Sequence, residues 1–170
     1  ARGGYGHMGL DWILGSFRMP RWIREMFTDS EILSLRRSFE RVWPHDEESN
    51  DRGRLIRAFY ERFFQACPEA ASLFKNVHMR KQRRMLFTAI ASVVHNLENH
   101  DQMEKYLVEL GHRHKSYGAT SSQFTVFLEC LLDRIRAADS AAWDAEIEAL
   151  WHRALWMICA RMQEQIDPID

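Results

Sequence analysis

Apolar residues recur at helical spacing along almost the whole chain, and this periodicity limits the fold more than any other feature. After residue 20, glycine, proline and strand-like alternation are scarce. Thr28 and Glu31 form a capping-box pattern that opens a helix ending at Trp43-Pro44. Further helices are predicted at about 51–66, 68–73, 79–97, 102–116, 121–138 and 141–165. About seven helices of unequal length, joined by short connections, predict an irregular all-α fold rather than a regular four-helix bundle.

Composition narrows the class of protein further. The 170 residues fit one main domain, and 46% hydrophobic with 28% charged residues exclude intrinsic disorder. No apolar run approaches the ~20 residues of a membrane span, so no transmembrane segment is predicted. A net charge of -1 argues against a general nucleic-acid binder. Three widely spaced cysteines favour buried thiols in a reducing compartment, so a cytoplasmic location is predicted.

Residues 1–27 are predicted to form an N-terminal extension, and residues 28–170 the main domain. The extension begins as a glycine-rich leader and continues as a short amphipathic helical segment, in which Leu10, Ile13, Leu14 and Phe17 form one helical stripe. This segment is interpreted as a helix packed on the domain surface. The alternatives are a homodimer contact through residues 10–27 or the last helix, a coupling element of a larger sensor, and a membrane-surface helix.

The histidines include one that faces inward. At 100° per residue, His114 lies about 40° from Leu110 on the buried face of its helix, whereas His112 lies about 200° away and faces water. A lone inward histidine is usually a hydrogen-bonded core residue. A neutral imidazole in an apolar pocket is also how a protein holds a haem iron.

Two polar residues point toward the same interior. Gln82 lies one turn before Leu86 on the inner face of its helix, and Tyr60 stands among aromatic residues at 59–64. A buried amide needs a partner or a polar ligand, so this pair suits a small polar diatomic molecule on a metal. The alternative is two ordinary half-buried polar residues. The sequence contains no Gly-rich phosphate loop, HExxH motif or recognisable Ser/His/Asp arrangement.

Four segments share the pattern of one family. They are FYERFF at 59–64 with Pro68-Glu69 and Leu73-Phe74, QRRMLFTAI at 82–90 with NLEN at 96–99, LGHRHKSYGA at 110–119, and Trp151 with Ala154. Each motif has moderate specificity, but they occur in order and at matching spacing from about residue 29 to 166. Together they resemble the globin family, in the version of bacterial single-domain haemoglobins and the haem domain of flavohaemoglobins.

The resemblance implies a three-over-three globin fold over residues 28–170, around one b-type haem whose iron His114 binds. It places Tyr60 and Gln82 at the distal positions that hydrogen-bond oxygen. The expected cofactor contacts are Phe74, which stacks on the porphyrin, Leu86, which sizes the distal pocket, and Tyr117, an apolar position of the His114 helix.

The implied function is a haem-binding globin that reversibly binds oxygen and other diatomic gases. One alternative is the oxygen-sensing domain of a larger signalling protein. Another is a nitric oxide dioxygenase or peroxidase-like enzyme working with an external reductase. Phe124 and Ile166 weaken this last alternative, because the flavohaemoglobin branch has a tyrosine and a glutamate there, which form a network with the proximal histidine.

Two features expected on the surface each have more than one interpretation. His78, one turn before Gln82, is expected on the surface, and the alternative is an internal sixth ligand of the iron. The basic run of Arg80, Lys81, Arg83 and Arg84 is expected in solvent or near the haem propionates rather than on nucleic acid.

Overall fold

The computed structural model describes residues 26–44 and 51–167, apart from the side chains of residues 51 and 52. Of the amphipathic segment predicted over residues 10–27, residues 10–25 lie outside the described residues. Within these ranges the chain forms seven α-helices, a short 3-10 helix and no strand. They are α1 (Asp29–Val42), α2 (Asp51–Ala66), α3 (Pro68–Ala71), the 3-10 helix Ser72–Phe74, α4 (Met79–His95), α5 (His100–Ser116), α6 (Ser121–Ala138) and α7 (Ala145–Ile166).

Side-chain caps determine where several helices begin. The predicted capping box opens α1, since the Thr28 hydroxyl accepts from the Glu31 N–H at 3.3 Å and Glu31 accepts from the Thr28 N–H at 2.8 Å. The predicted start of the last helix near residue 141 is wrong. The Asp144 carboxylate accepts from the Ile147 N–H at 2.8 Å, so α7 begins at Ala145.

The helices form two layers. In one layer α1 packs against α4, and in the other α6 packs against α2 and α7. Contacts of α1 and α5 with α7, and of α2 with α4, join the layers. The interior is filled by large apolar side chains, among them the fully buried Trp43, Phe59 and Trp151. The apolar faces predicted by the helical periodicity therefore meet in one core.

A buried polar cluster joins three parts of this core. Asp139, at the carboxyl end of α6, accepts from the Ser38 hydroxyl at 2.5 Å and from two nitrogens of Arg41 at 2.7 and 2.8 Å. The indole N–H of Trp151 on α7 donates to the Ser38 hydroxyl at 2.8 Å. Every polar atom named here has a partner, so the cluster links α1, α6 and α7 without an orphaned buried group.

The end of the predicted extension lies on α7. Met26 and Phe27 pack against the core, and the Arg153 guanidinium donates to the Met26 carbonyl at 3.0 Å. The same guanidinium lies 5.1 Å from the centre of the Phe27 ring and bonds Glu31. In the part of the chain that the structure describes, no helix has the length and apolar character needed to cross a membrane.

Candidate functional site

A buried hydrogen bond joins α2 to α4 at the predicted distal side. The Tyr60 side chain, 5% exposed, accepts a hydrogen bond from the Gln82 side-chain amide, with 3.1 Å between Nε2 and Oη. Burial raises the pKa of Tyr60 to about 12, although the bond from Gln82 and the nearby Arg83 cation lower it. Tyr60 therefore keeps its proton at neutral pH, and its O–H can donate a hydrogen bond to a further acceptor.

Three aromatic rings pack against the Tyr60 ring. The Tyr60 ring centre lies 4.9 Å from that of Phe59, 5.6 Å from that of Phe64 and 5.7 Å from that of Phe74. Leu86, one turn after Gln82 on α4, is half-buried and packs against the core. Tyr60 and Gln82 therefore lie in an apolar and aromatic setting.

His114 lies on α5, at the predicted proximal side of the site. Its Nδ1 lies 2.8 Å from the Leu110 carbonyl oxygen, one turn earlier on the same helix. A carbonyl can only accept a hydrogen bond, so Nδ1 holds the proton and Nε2 keeps a free lone pair. Burial lowers the pKa of His114, and this favours the neutral imidazole that binds metals.

Two aromatic rings lie beside His114. Phe124, buried on α6, has its ring centre 5.8 Å from the imidazole, and that of Tyr117 is 6.2 Å away. Tyr117 is 63% exposed, so its expected place on the inner face is wrong. It is the residue after α5, where the turn to Gly118 begins. Its contact with a cofactor stays a prediction.

The 3-10 helix Ser72–Phe74 lies beside both parts of the site. Phe74 contacts Tyr60, while a Cβ built on Gly118 would lie 3.8 Å from Leu73. Gly118 has φ +82°, a left-handed conformation that favours glycine, and so turns the chain just after α5. The structure therefore brings the ends of the predicted distal and proximal segments close to each other.

His78 is exposed and caps α4, with its Nδ1 accepting from the Lys81 N–H at 3.4 Å. Ile166 is half-buried against the core, and the carboxylate of Glu164, two residues earlier, pairs with Arg161. In this arrangement His78 occupies a surface position, and the carboxylate of Glu164 is engaged by an arginine.

Sequence reasoning missed two features of the site. The Leu110 carbonyl orients His114, and the signal for it is the spacing of four residues on one helix. Gly111 lies where α5 meets α7, since a Cβ there would come within 2.9 Å of the Met162 carbonyl oxygen. In the sequence, this contact is indicated by a glycine in the middle of a helical pattern, because such a glycine usually allows close packing.

The residues of this site fit a haem. Among the described residues, no group of three or more histidine, cysteine, aspartate or glutamate side chains could hold a metal ion. His114 offers one nitrogen in aromatic surroundings, which matches iron whose other ligands come from a macrocycle. The distal Tyr60 and Gln82 add the few polar groups that fix a small ligand in an otherwise apolar pocket.

The comparisons with known sequences agree with this geometry. The family model described as Globin matches residues 57–162. A flavohemoprotein of Rhizobium meliloti (strain 1021) is 31% identical over 102 residues, which cover 59% of this chain and 25% of that protein. A flavohemoprotein of Bacillus subtilis (strain 168) is 26% identical, with 59% of this chain and 26% of that protein covered. The chain therefore matches about a quarter of the length of these curated relatives.

Solved structures with similar folds span nearly the whole described region. A hexacoordinated heme protein from an anhydrobiotic tardigrade has a TM-score of 0.70 at 17% identity, covering 82% of this chain and 95% of that one. A bacterial globin from Campylobacter jejuni has a TM-score of 0.65 at 20% identity, with 82% and 96% covered. Aplysia limacina myoglobin has a TM-score of 0.66 at 18% identity, with 83% and 99% covered. The predicted three-over-three fold is confirmed.

Proposed function

The chain belongs to the globin family, whose members bind haem, and on this premise we propose that it holds a b-type haem through His114 and reversibly binds oxygen or another diatomic gas. The observation that carries the proposal is the buried bond from Gln82 to Tyr60, 3.1 Å long. It holds a protonated phenol in an aromatic pocket, where the phenol O–H meets no acceptor among the described residues. A small polar ligand would supply that acceptor.

One residue would bind the haem iron, and others would form the apolar walls of the haem pocket. His114 Nε2 is the ligand, fixed by the bond of Nδ1 to the Leu110 carbonyl. Phe74 and Leu86 supply half-buried apolar walls, and Tyr117 lies beside His114 at the exposed end of α5. When bound, the haem supplies the iron on which a diatomic gas is taken up.

Tyr60 and Gln82 would select among gases. Oxygen draws partial negative charge when it binds ferrous iron, whereas carbon monoxide stays less polar. A Tyr60 hydroxyl that donates to the gas stabilises the oxygen complex by about 1 kcal/mol or more. Gln82 supports this role by occupying the Tyr60 oxygen, which leaves the phenol proton for the ligand. The pair therefore favours slow oxygen release.

An oxidative enzyme is the second candidate function. The similarity to flavohemoproteins favours nitric oxide dioxygenase or peroxidase-like activity with an external reductase. The proximal side argues against it. Phe124 has no hydroxyl to join a network at His114, and the Glu164 carboxylate pairs with Arg161. The acceptor for the Nδ1 proton is the neutral Leu110 carbonyl, so the imidazole gains little anionic character.

Absorption spectra of haem-reconstituted protein test the proposal. We would record ferric, dithionite-reduced, and reduced plus oxygen or carbon monoxide forms of the wild type and of His114→Gly, with and without added imidazole. The expected result is a sharp Soret band and a stable oxygen complex. Both should be lost in the variant and partly restored by imidazole, which can replace the missing side chain.

Each other outcome has a definite meaning. Failure of the wild type to take up haem stoichiometrically would overturn the proposal and leave only the fold. A variant that keeps the wild-type spectra would show that another residue binds the iron. A six-coordinate ferrous spectrum abolished by His78→Ala would establish His78 as an internal ligand and argue against simple storage. Rapid nitrate formation from nitric oxide with sustained turnover after adding a reductase would favour the enzyme.

A further inference from the structure

The outward side of α7 carries no charged residue. Six residues lie on this side, and at 100° per residue they fall within a sector of about 80°. They are Ala145, Ala149, His152, Trp156, Ala160 and Gln163, of which the first four are exposed and the last two half-buried. We call these six residues the outer stripe. A helix side that faces water normally carries charged and polar residues, so this composition favours contact with a further apolar element.

Trp156 lies near the centre of the outer stripe and is 43% exposed. Its indole is the largest apolar group on this side of α7, and covering an aromatic ring of this size stabilises a contact more than covering most other side chains. Ala149, two turns before it, and Ala160, one turn after it, have small side chains, so α7 allows close approach on both sides of the ring. The outer stripe therefore suits an apolar segment that packs across Trp156.

The first described residues lie next to the outer stripe. The Arg153 guanidinium donates to the Met26 carbonyl at 3.0 Å and lies 5.1 Å from the centre of the Phe27 ring. Trp156 is three residues after Arg153 on α7, so the two side chains are neighbours on the helix surface. Residues that precede Met26 therefore start within reach of Trp156.

Arg153 also has a donor that the described residues leave without a partner. Its Nε is buried and has no hydrogen-bond partner among residues 26–44 and 51–167. A buried donor without an acceptor is unfavourable, and such groups normally find a partner. A carbonyl or side chain of the residues just before Met26 would supply one at the edge of the outer stripe.

The sequence before Met26 has the pattern and the length to cover this side. Four apolar residues in it share one helical face. They are Leu10, Ile13, Leu14 and Phe17. A helix over residues 10–17 would span about 12 Å, against about 33 Å for the 22 residues of α7, so the outer stripe can accommodate it. The tether of residues 18–25 keeps the effective concentration of this face in roughly the millimolar range, which favours it over a second copy at micromolar concentration.

We infer that residues 10–25 dock on the outer stripe of α7, with the apolar face of residues 10–17 against Trp156. The inference goes beyond the proposed function and needs no haem. Docking adds apolar burial to α7, the helix that packs against α5 at Gly111 and so supports the helix of His114. A second copy of the chain and an anionic membrane are the other candidate occupants. The absence of lysine and arginine from the outer stripe disfavours the membrane.

Hydrogen exchange of the full chain, followed by mass spectrometry of peptic fragments, tests this inference. The test variant is Trp156→Asp, which places a charge near the centre of the outer stripe. The matched control is Leu33→Asp. Leu33 is also a large apolar residue, 52% exposed on α1, and it lies about 200° around that helix from Glu31, which bonds Arg153. A synthetic peptide of residues 9–25 gives the exchange rates of the undocked segment.

In the wild type, fragments from residues 10–25 should exchange about tenfold slower or more than the free peptide, because docking protects backbone amides from water. Trp156→Asp should abolish this protection, whereas Leu33→Asp should keep it. The protection should not depend on protein concentration, since the segment and the outer stripe belong to one chain. Fragments from α2 and α6 should exchange alike in all three proteins, which shows that the main domain is intact.

A reciprocal measurement leaves the main domain unchanged. Ile13→Asp/Phe17→Asp disrupts the apolar face of the segment, and Ser16→Asp, about 110° from the centre of that face, is the matched control. Hydroxyl-radical footprinting should oxidise Trp156 about twofold faster or more in the double variant, because an undocked segment leaves the indole to the solvent. The control should oxidise at the wild-type rate.

Several results would overturn the inference. The docking is wrong if the wild-type segment exchanges as fast as the free peptide, if Trp156→Asp keeps the protection, or if Leu33→Asp abolishes it as well. Protection that rises with protein concentration, together with a dimer in sedimentation equilibrium that Trp156→Asp dissociates, would assign the outer stripe to a second copy. Protection that occurs only with phosphatidylserine vesicles would assign the segment to a membrane.

Discussion

The Tyr60 hydroxyl has one proton, and its oxygen already accepts a hydrogen bond from Gln82. Replacing Tyr60 by phenylalanine keeps the ring contacts with Phe59 and Phe74 but removes the donor. We expect oxygen to leave Tyr60→Phe about tenfold faster or more, which corresponds to about 1.4 kcal/mol or more, since one buried hydrogen bond is lost. Stopped-flow displacement of oxygen by carbon monoxide measures this rate.

Carbon monoxide supplies the control for this prediction. Its dissociation rate should change less than twofold in Tyr60→Phe, because it is a poor hydrogen-bond acceptor. The oxygen dissociation rate of the wild type should also stay constant from pH 6 to 9. The pKa of Tyr60 is raised to about 12, so the phenol keeps its proton throughout that range. Equal acceleration for both gases would point to a steric opening of the pocket instead.

Single residues differ in how far their sequence context predicts them. His114, Tyr60 and Gln82 point inward because their helices continue unbroken past them, so helical spacing gives their direction. Tyr117 follows the last residue of α5, where the chain turns toward Gly118 and helical spacing no longer applies. The Leu110 carbonyl is invisible to side-chain patterns, although it decides which nitrogen of His114 holds the proton.

At the scale of elements, Gly111 lets α5 approach α7 near His114. A Cβ there would lie 2.7 Å from Gln165 Cγ and 2.9 Å from the Met162 carbonyl oxygen, and the backbone atom cannot move aside easily. Alanine normally stabilises a helix by about 1 kcal/mol relative to glycine. We expect Gly111→Ala to destabilise by roughly 1–3 kcal/mol instead, as overpacking does, and to weaken haem uptake by shifting His114.

Gly53 offers the matched control for that substitution. It lies in α2, and a Cβ on it meets nothing within 4 Å. Gly53→Ala should therefore raise the free energy of unfolding by about 0.5–1 kcal/mol and leave haem uptake unchanged. Urea unfolding followed by circular dichroism measures both variants. A stabilising effect of alanine at residue 111 would show that α5 and α7 can separate without cost.

The buried carboxylate of Asp139 connects elements far apart in sequence. Asp139→Ala removes the acceptor for Ser38 and Arg41 and leaves their donors near the core. The side chain of Arg41 is 41% exposed and regains some water, so we expect a loss of about 2–3 kcal/mol, less than for a fully buried pair. Thermal unfolding measures it. Asp133→Ala, which breaks a partly exposed pair with Arg134, should cost less than about 1 kcal/mol.

Caps show why helix boundaries are harder to predict than helices. The Thr28 and Glu31 capping box is local, so three-residue spacing is sufficient to predict it. Helical spacing alone extends the last helix back to about residue 141, whereas the Asp144 carboxylate caps the Ile147 N–H and so starts α7 at Ala145. Residues 140–143 can continue a helical pattern without being helical, so spacing alone does not locate this boundary.

At the scale of the whole molecule, the two-layered arrangement follows from the sequence more readily than its polar connections. The apolar stripes give the number of helices and their inner faces, and short connections restrict their order. The links through Asp139, and through the buried pair of Arg161 and Glu104, join residues at least 57 positions apart. No local pattern marks such partners, and they emerge only when the helices are packed.

Haem should raise the stability of the whole fold, because it would bind the native chain and not the unfolded one. Free haem at 100 times its dissociation constant would add about 2.7 kcal/mol. For a chain of this size that corresponds to a rise in Tm of about 5–11 °C. Differential scanning calorimetry with and without haem measures it. In His114→Gly the rise should shrink by more than half and return with imidazole, whereas an undiminished rise would mean that haem binds elsewhere.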